Sequence, residues 1–418
     1  MITLLQNPAQ IVTVNTSGRN VKRGKELNDI SLLTDHSIIV EDDVIKDLIS
    51  SSNLKSTKFD KIIDVKDKVI LPGLVDCHTH TAFAGSRANE FRMKLNGATY
   101  EEISKAGGGI ITTVNAVRNS SFEQLVKIVS PRISYYISRG ITTLEIKSGY
   151  GLDFENEIKL LHLIKYLDEV FPIDIVPTFL GAHTFPLEYK NDHLGYINLI
   201  IDQMLPHISK NKLAKFCDGF CESTAFSSNE IKIIFDAARS FGLSLKLHTE
   251  QFNTIGGLKT AVDAGAISVD HLEAIRDEDI PYLASTDTTA VLLPGVSLFL
   301  KYQYAPARKL IDNNAIVALA TDYNPGSSHI NDLSLIMSLA ALNMKMTIEE
   351  TISAVTINAA RALNLSDDRG SIEINKKADL SIFDTDEYSD IVYNVGKNLN
   401  IMTIKNGRII FDSTGGNS

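Results

Sequence analysis

The sequence predicts an α/β chain whose centre is a (β/α)8 TIM-like barrel, joined to a small β-sandwich domain formed by both termini. Three observations carry that expectation. Eight short apolar runs recur between residues 67 and 368, most followed by a longer stretch with helical spacing. Both ends of the chain alternate with the strand period instead and are punctuated by Gly and Asn-Gly turns. Nearly every central run closes on His, Asp, Glu or Tyr, as expected where the strands of a barrel converge on one face.

Residues 1–66, with IVTV, HSIIVEDDVI and a charged connector near Lys58, form the N-terminal part of the sandwich. Residues 67–368 form the barrel. Its strand candidates are VILPGLVDCHTH, GITTLEIKSG, IDIVPTFLGAH, KFCDGFCES, LSLKLHTE, AISVDHLE, TAVLLPG and AIVALATD. Ser121–Arg139 and Asn229–Phe241 are helices between them. Residues 369–418, with GSIEINKKADLSIFD and NIMTIKNGRIIF, complete the sandwich. An open doubly wound sheet would need a Gly-rich phosphate turn after its first strand, and here that strand ends in histidines.

Composition narrows the function classes. Hydrophobic residues at 44% and charged residues at 22% of 418 describe a globular chain with a sizeable core. A formal net charge of −10 argues against a nucleic-acid surface, and it obliges any anionic ligand to find a local cation. Cys77, Cys217 and Cys221 cannot form a disulfide framework, which points to a reducing compartment. The first residues lack the pattern of a signal peptide, and no run of about 18 apolar residues could cross a membrane. The expected location is the cytoplasm.

The strongest chemical signal is Asp76-Cys77-His78-Thr79-His80. In an extended strand, residues two apart face the same side, so His78 and His80 can hold one cation while Cys77 and Thr79 pack outward. An isolated H-x-H is more often an accidental surface pair, but LPGLVD is too apolar for a surface strand. His248 in LKLHTE, His271 in SVDHLE and Asp322 in ALATDYNPGSS also close apolar strands. Each alone suits a structural role, such as an Asp capping the next helix. Together with H-x-H they point to a metal site.

LPGLVDCHTH, followed by a strand-end His, another His and a Thr-Asp, resembles the amidohydrolase superfamily of metal-dependent barrel hydrolases. More narrowly, HTHTAFAGSRANEF, NGATYEEISKAGGGIITTV, LEIKSGYGLD, FLGAHTFP and ATDYNPGSS are similar to the imidazolonepropionase family, a likeness running from about Lys22 to the C-terminal strands. That resemblance implies hydrolysis of the cyclic amide of 4-imidazolone-5-propanoate to N-formimino-L-glutamate, in histidine degradation. It implies one Zn2+ or Fe3+ ion per subunit, held by His78, His80, His248 and Asp322. It also implies that Asp322 accepts a proton from water and that His271 transfers a proton or polarises the carbonyl, a packing histidine being the plainer reading of His271.

The substrate side follows the same resemblance. Arg87 matches the family residue for the carboxylate tail, although beside Asn89 and Glu90 it would otherwise be a surface ion pair. Tyr150, between Gly149 and Gly151, is expected over the pocket, or is an ordinary turn tyrosine. His183 matches a residue contacting the ring and is expected to donate to the developing oxyanion. Asn324, Gly326 and Ser327 offer a hydroxyl and backbone N–H groups, or form a plain β-to-α turn. Gln251 stands where related deaminases carry a proton-shuttling Glu, with Glu250 one residue earlier, which disfavours deamination. Cys221 and Glu222 lie where a bridge between two metals would be sought, and neither stands out as one. The Gly107-Gly108-Gly109 run suits a moving lid or a plain connection. A homodimer is implied by the resemblance alone. The competing readings are another cyclic-amide hydrolase or an aromatic-base deaminase on the same barrel, and a non-catalytic metal-binding protein.

Overall fold

The computed structural model describes residues 1–54, 58–97 and 108–415. Among these, eight parallel strands follow one another around a barrel in chain order. They are β1 (Leu74–Asp76), β2 (Ile141–Lys147), β3 (Asp174–Ala182), β4 (Phe216–Cys221), β5 (Ser244–Thr249), β6 (Ser268–His271), β7 (Thr289–Leu292) and β8 (Ile316–Leu319). Each falls within one of the eight apolar runs. Their side chains are almost all buried, as parallel strands covered by helices must be.

The barrel closes at its rim. Beyond the ends of β1 and β8, Thr79 and Tyr323 form a parallel bridge. His80 N–H donates to the Tyr323 carbonyl at 3.0 Å, and Asp322 N–H donates to the His78 carbonyl at 3.0 Å. The backbone that completes the barrel is therefore the backbone that carries His78, His80 and Asp322.

The first apolar run does two jobs rather than one. Val69–Pro72 pairs with Leu380–Phe383 and Gln10–Val12 in a terminal sheet, and only Leu74–Asp76 enters the barrel. Gly73 makes the change of layer, because a Cβ there would stand 2.2 Å from the Thr142 hydroxyl. Both halves are wholly buried, so hydrophobic pattern alone could not separate them.

The chain ends build a four-stranded and a six-stranded sheet. Leu5, Ile38 and Ile45 of the first meet Ile70, Leu380 and Ile404 of the second in a separate apolar core. Helix N-termini are set by local chemistry. Ser121 and Ser227 each accept a backbone N–H three residues on and sit in capping boxes, starting the helices Phe122–Ser138 and Ser228–Ser240. Cys77, Cys217 and Cys221 are buried and unpaired. Among the described residues, no helix is long and apolar enough to cross a membrane.

Candidate active site

Charge placed inside an apolar barrel must be paired, and the pairing found here aims the histidines. Lys147, at the end of β2, is fully buried and donates to Glu145 at 2.6 Å and to Asp218 at 2.8 Å. Asp218 in turn accepts from His248 Nδ1 at 3.1 Å. Asp270 accepts from His78 Nδ1 at 2.6 Å and from the Ser268 hydroxyl at 2.6 Å. A carboxylate on Nδ1 fixes the ring orientation and turns the Nε2 edge to the opposite side. Lys147, Asp218 and Asp270 were not singled out from the sequence. Their signal was a charge interrupting an apolar strand, as in LEIKSG and FCDGFC.

The freed edges meet. His80 Nε2 lies 3.2 Å from His248 Nε2 and 3.3 Å from Asp322 Oδ1, while His78 Nε2 lies 3.5 Å from the same oxygen. A tetrahedral ion with bonds of 2.0–2.1 Å spaces its ligands about 3.3 Å apart. His78 Nε2 and Asp322 Oδ1 are buried with no hydrogen-bonding partner, a costly state that an ion would relieve. Three imidazoles and a carboxylate therefore fit a transition-metal ion in chemistry and in spacing. A second overlapping group joins His78, His248 and His271, with ligating atoms within 4.8 Å. Cys221 and Glu222 belong to neither group, and the Glu222 carboxylate accepts the Phe252 and Asn253 backbone N–H groups instead.

The electrostatics suit that use. Burial opposes ionisation of Asp322, yet the neighbouring His78 and His80 hold its carboxyl well below the usual range. Burial pushes His80 and His248 down, so both are neutral donors at pH 7. Burial and Lys147 also oppose charge on His78, but Asp270 and Asp322 outweigh them and raise it to about 9.

A cavity of about 290 Å³ opens over this cluster. Tyr150, His183, Gln251, Asn324, Gly326 and Ser327 line it, as do Arg87 and His271. Arg87 precedes helix α1 (Ala88–Leu95) and directs Nε and Nη2 to Glu90 at 2.9 and 2.8 Å. The expected ion pair is thus present, but its side chains are only 16% and 9% exposed. Glu90 also accepts from Gly109 N–H at 3.0 Å, tying α1 to the end of the glycine run, whose Gly107 lies outside the described residues. Tyr150 is buried, with ring centroids 5.9 Å from His80 and 5.4 Å from His183. The Glu157 carboxylate holds its loop through the N–H groups of Gly149, Gly151 and Leu152. Gln251 faces the cavity, whereas Glu250 turns back toward Leu258 N–H at 3.4 Å. His271 Nδ1 lies 3.4 Å from Glu273, and its ring centroid stands 5.5 Å from that of His248.

Asn324 folds the rim loop on itself, its Oδ1 accepting from Gly326 N–H at 2.8 Å and Ser327 N–H at 2.7 Å. A Cβ on Gly326 would stand 2.1 Å from Arg87 Nη1. Gly326→Ala is expected to push the guanidinium aside, raising KM for an anionic substrate about tenfold with little change in thermal stability, because a flexible side chain gives way. Steady-state kinetics and a melting curve check this. A large fall in Tm with KM unaltered would refute it.

A model of the amidohydrolase family matches residues 69–410. An imidazolonepropionase of Geobacillus sp. (strain WCH70) is 43% identical over 415 residues, covering 98% of each chain. One of Geobacillus thermodenitrificans (strain NG80-2) is 44% identical over 411 residues, 97% of each. Among solved structures, a triazine hydrolase variant superposes with a TM-score of 0.76 at 15% identity, covering 99% of this chain and 95% of that one. An adenosine deaminase from Xanthomonas campestris with bound zinc has a TM-score of 0.73 at 17% identity, covering 98% and 93%.

Proposed function

From a chain that belongs to the imidazolonepropionase family of the amidohydrolases, we propose a hydrolase that opens 4-imidazolone-5-propanoate to N-formimino-L-glutamate. The observation that carries this reading is one cavity lined both by His80, His248 and Asp322, members of two overlapping donor groups, and by a half-buried arginine for a carboxylate tail. His78, His80, His248 and Asp322 hold one Zn2+ or Fe3+ ion per subunit, and the enzyme works as a cytoplasmic homodimer. When bound, the ion supplies Lewis-acid charge that brings the pKa of a water toward about 7 and polarises a carbonyl.

The chain's own residues do the rest. Asp322 accepts a proton as water oxygen adds to the ring carbonyl carbon. His271, held through Nδ1 by Glu273, directs Nε2 at the carbonyl oxygen and the departing nitrogen. The carbon–nitrogen bond breaks with its electron pair moving to nitrogen, which takes the proton that Asp322 held. A carboxylate and a formimino group result. Arg87 holds the propanoate, and Gln251, Asn324, Gly326 and Ser327 orient the rest. Tyr150 keeps its proton, since burial and the Asp322 charge raise its phenol, so it donates to the substrate.

His183 works differently from the sequence expectation. Its Nδ1 donates to the Gly149 carbonyl at 2.8 Å, and burial beside His80 pushes it down to about 3. The ring is therefore neutral with a lone pair on Nε2, which accepts from a substrate ring N–H rather than donating to an oxyanion.

Loss of the imidazolone ultraviolet absorbance on adding purified enzyme, with elemental analysis of the same sample, tests the proposal. Persistence of that absorbance, alongside ammonia release from aminated purines, would favour a deaminase instead. The raised His78 supplies a further expectation. Below about pH 9 its Nε2 proton competes with metal, so zinc binding to metal-free protein at pH 7 releases close to one proton. Apparent affinity then rises about tenfold per pH unit up to that point. Calorimetric titration in two buffers of different ionisation enthalpy measures the release, and a value near zero would refute it.

A further inference from the structure

Arg87 cannot by itself neutralise a substrate carboxylate. Two of its donors are committed to Glu90, and the part-buried Arg87–Glu90 pair carries no net charge. The only acid lining the cavity among the described residues is Asp322, which belongs to the donor cluster. One other cation lines the same cavity. Lys94 follows Glu90 by four residues on α1, one helical turn along the same face. Among the described residues it makes no ion pair or hydrogen bond.

We propose that Lys94 is a second substrate-binding cation, supplying the unbalanced positive charge that makes this cavity select an anionic side chain. The inference rests on the reading of the site as one for imidazolonepropanoate. Its physical basis is a charge count. Arg87 and Glu90 cancel, and the free ammonium matches the single carboxylate of the substrate. Lys94 is exposed where it lines the cavity, and its partial desolvation and the nearby Arg87 guanidinium lower its ammonium, with Glu90 opposing them. Two cations lining one cavity repel each other, and a carboxylate between them relieves that cost. Arg87 gives the carboxylate its orientation through a rigid donor edge, whereas Lys94 gives it charge through a mobile ammonium.

Steady-state kinetics of holoenzyme carrying Lys94→Met or Lys94→Arg test this, with elemental analysis and a melting curve as controls. Lys94→Met keeps an unbranched apolar stem of nearly the same length and removes the ammonium. It should raise KM for 4-imidazolone-5-propanoate about tenfold, with kcat within about twofold and metal content unchanged. Lys94→Arg should restore KM. The methyl ester of the substrate, which lacks the carboxylate charge, should show the same KM with wild type and Lys94→Met. KM unchanged in Lys94→Met overturns the proposal, and so does an equal rise for acid and ester, which would mark a merely structural role. Wild-type enzyme inactive on the acid refutes the functional reading itself, a result visible before any variant is made.

Discussion

Asp322→Asn is expected to lose its metal and at least about 10³ of kcat/KM, the largest single effect at this site. Asn keeps the shape of the side chain, and the backbone position is fixed by Asp322 N–H donating to the His78 carbonyl. What disappears is the one anion among the four donors. Oδ1, 3.3 Å from His80 Nε2 and 3.5 Å from His78 Nε2, becomes a neutral amide atom. The cation then has three neutral imidazoles and no charge to balance it, and water has no base to accept its proton. Elemental analysis and kinetics on the same preparation check both halves, with circular dichroism to show that the fold persists. A fully metallated Asp322→Asn enzyme with near wild-type turnover would remove Asp322 from both roles.

Arg87→Ala is expected to raise KM by about 10² or more while leaving metal content intact. The loss has two parts. A charge-assisted contact to the carboxylate is gone, and the Glu90 carboxylate, 9% exposed, is left unpaired beside the anion it would repel. Pairing the change with Glu90→Gln separates them. The double variant should recover part of the lost affinity, because the stranded charge is removed while the missing contact is not. An Arg87→Ala enzyme with unchanged KM would refute the assignment.

The barrel was legible because its signal was repeated. Eight apolar runs, nearly all closing on a polar residue, are difficult to arrange in any other fold, and all eight became strands. Membership of the family is likewise a property of the sequence, since HTHTAFAGSRANEF and ATDYNPGSS carry it without coordinates. Less legible was the junction at Gly73, where one continuous apolar run serves two sheets. Burial is complete on both sides, and only the close approach of Thr142 marks the change.

The residues that aim the site were hidden for a different reason. Asp218, Asp270 and Lys147 lie far along the chain from the histidines they orient, and no local pattern joins Lys147 to His248. The direction of the His183 hydrogen bond was equally out of reach, because it depends on one carbonyl, that of Gly149, in a different loop. Local composition and periodicity thus determined which segments are strands and which residue types end them. The folded barrel alone decided which nitrogen of each ring faces the cavity and which cation is already cancelled by Glu90. Side-chain periodicity is a property of neighbouring residues, whereas tautomer and net charge depend on whatever the closed barrel brings within a few ångströms.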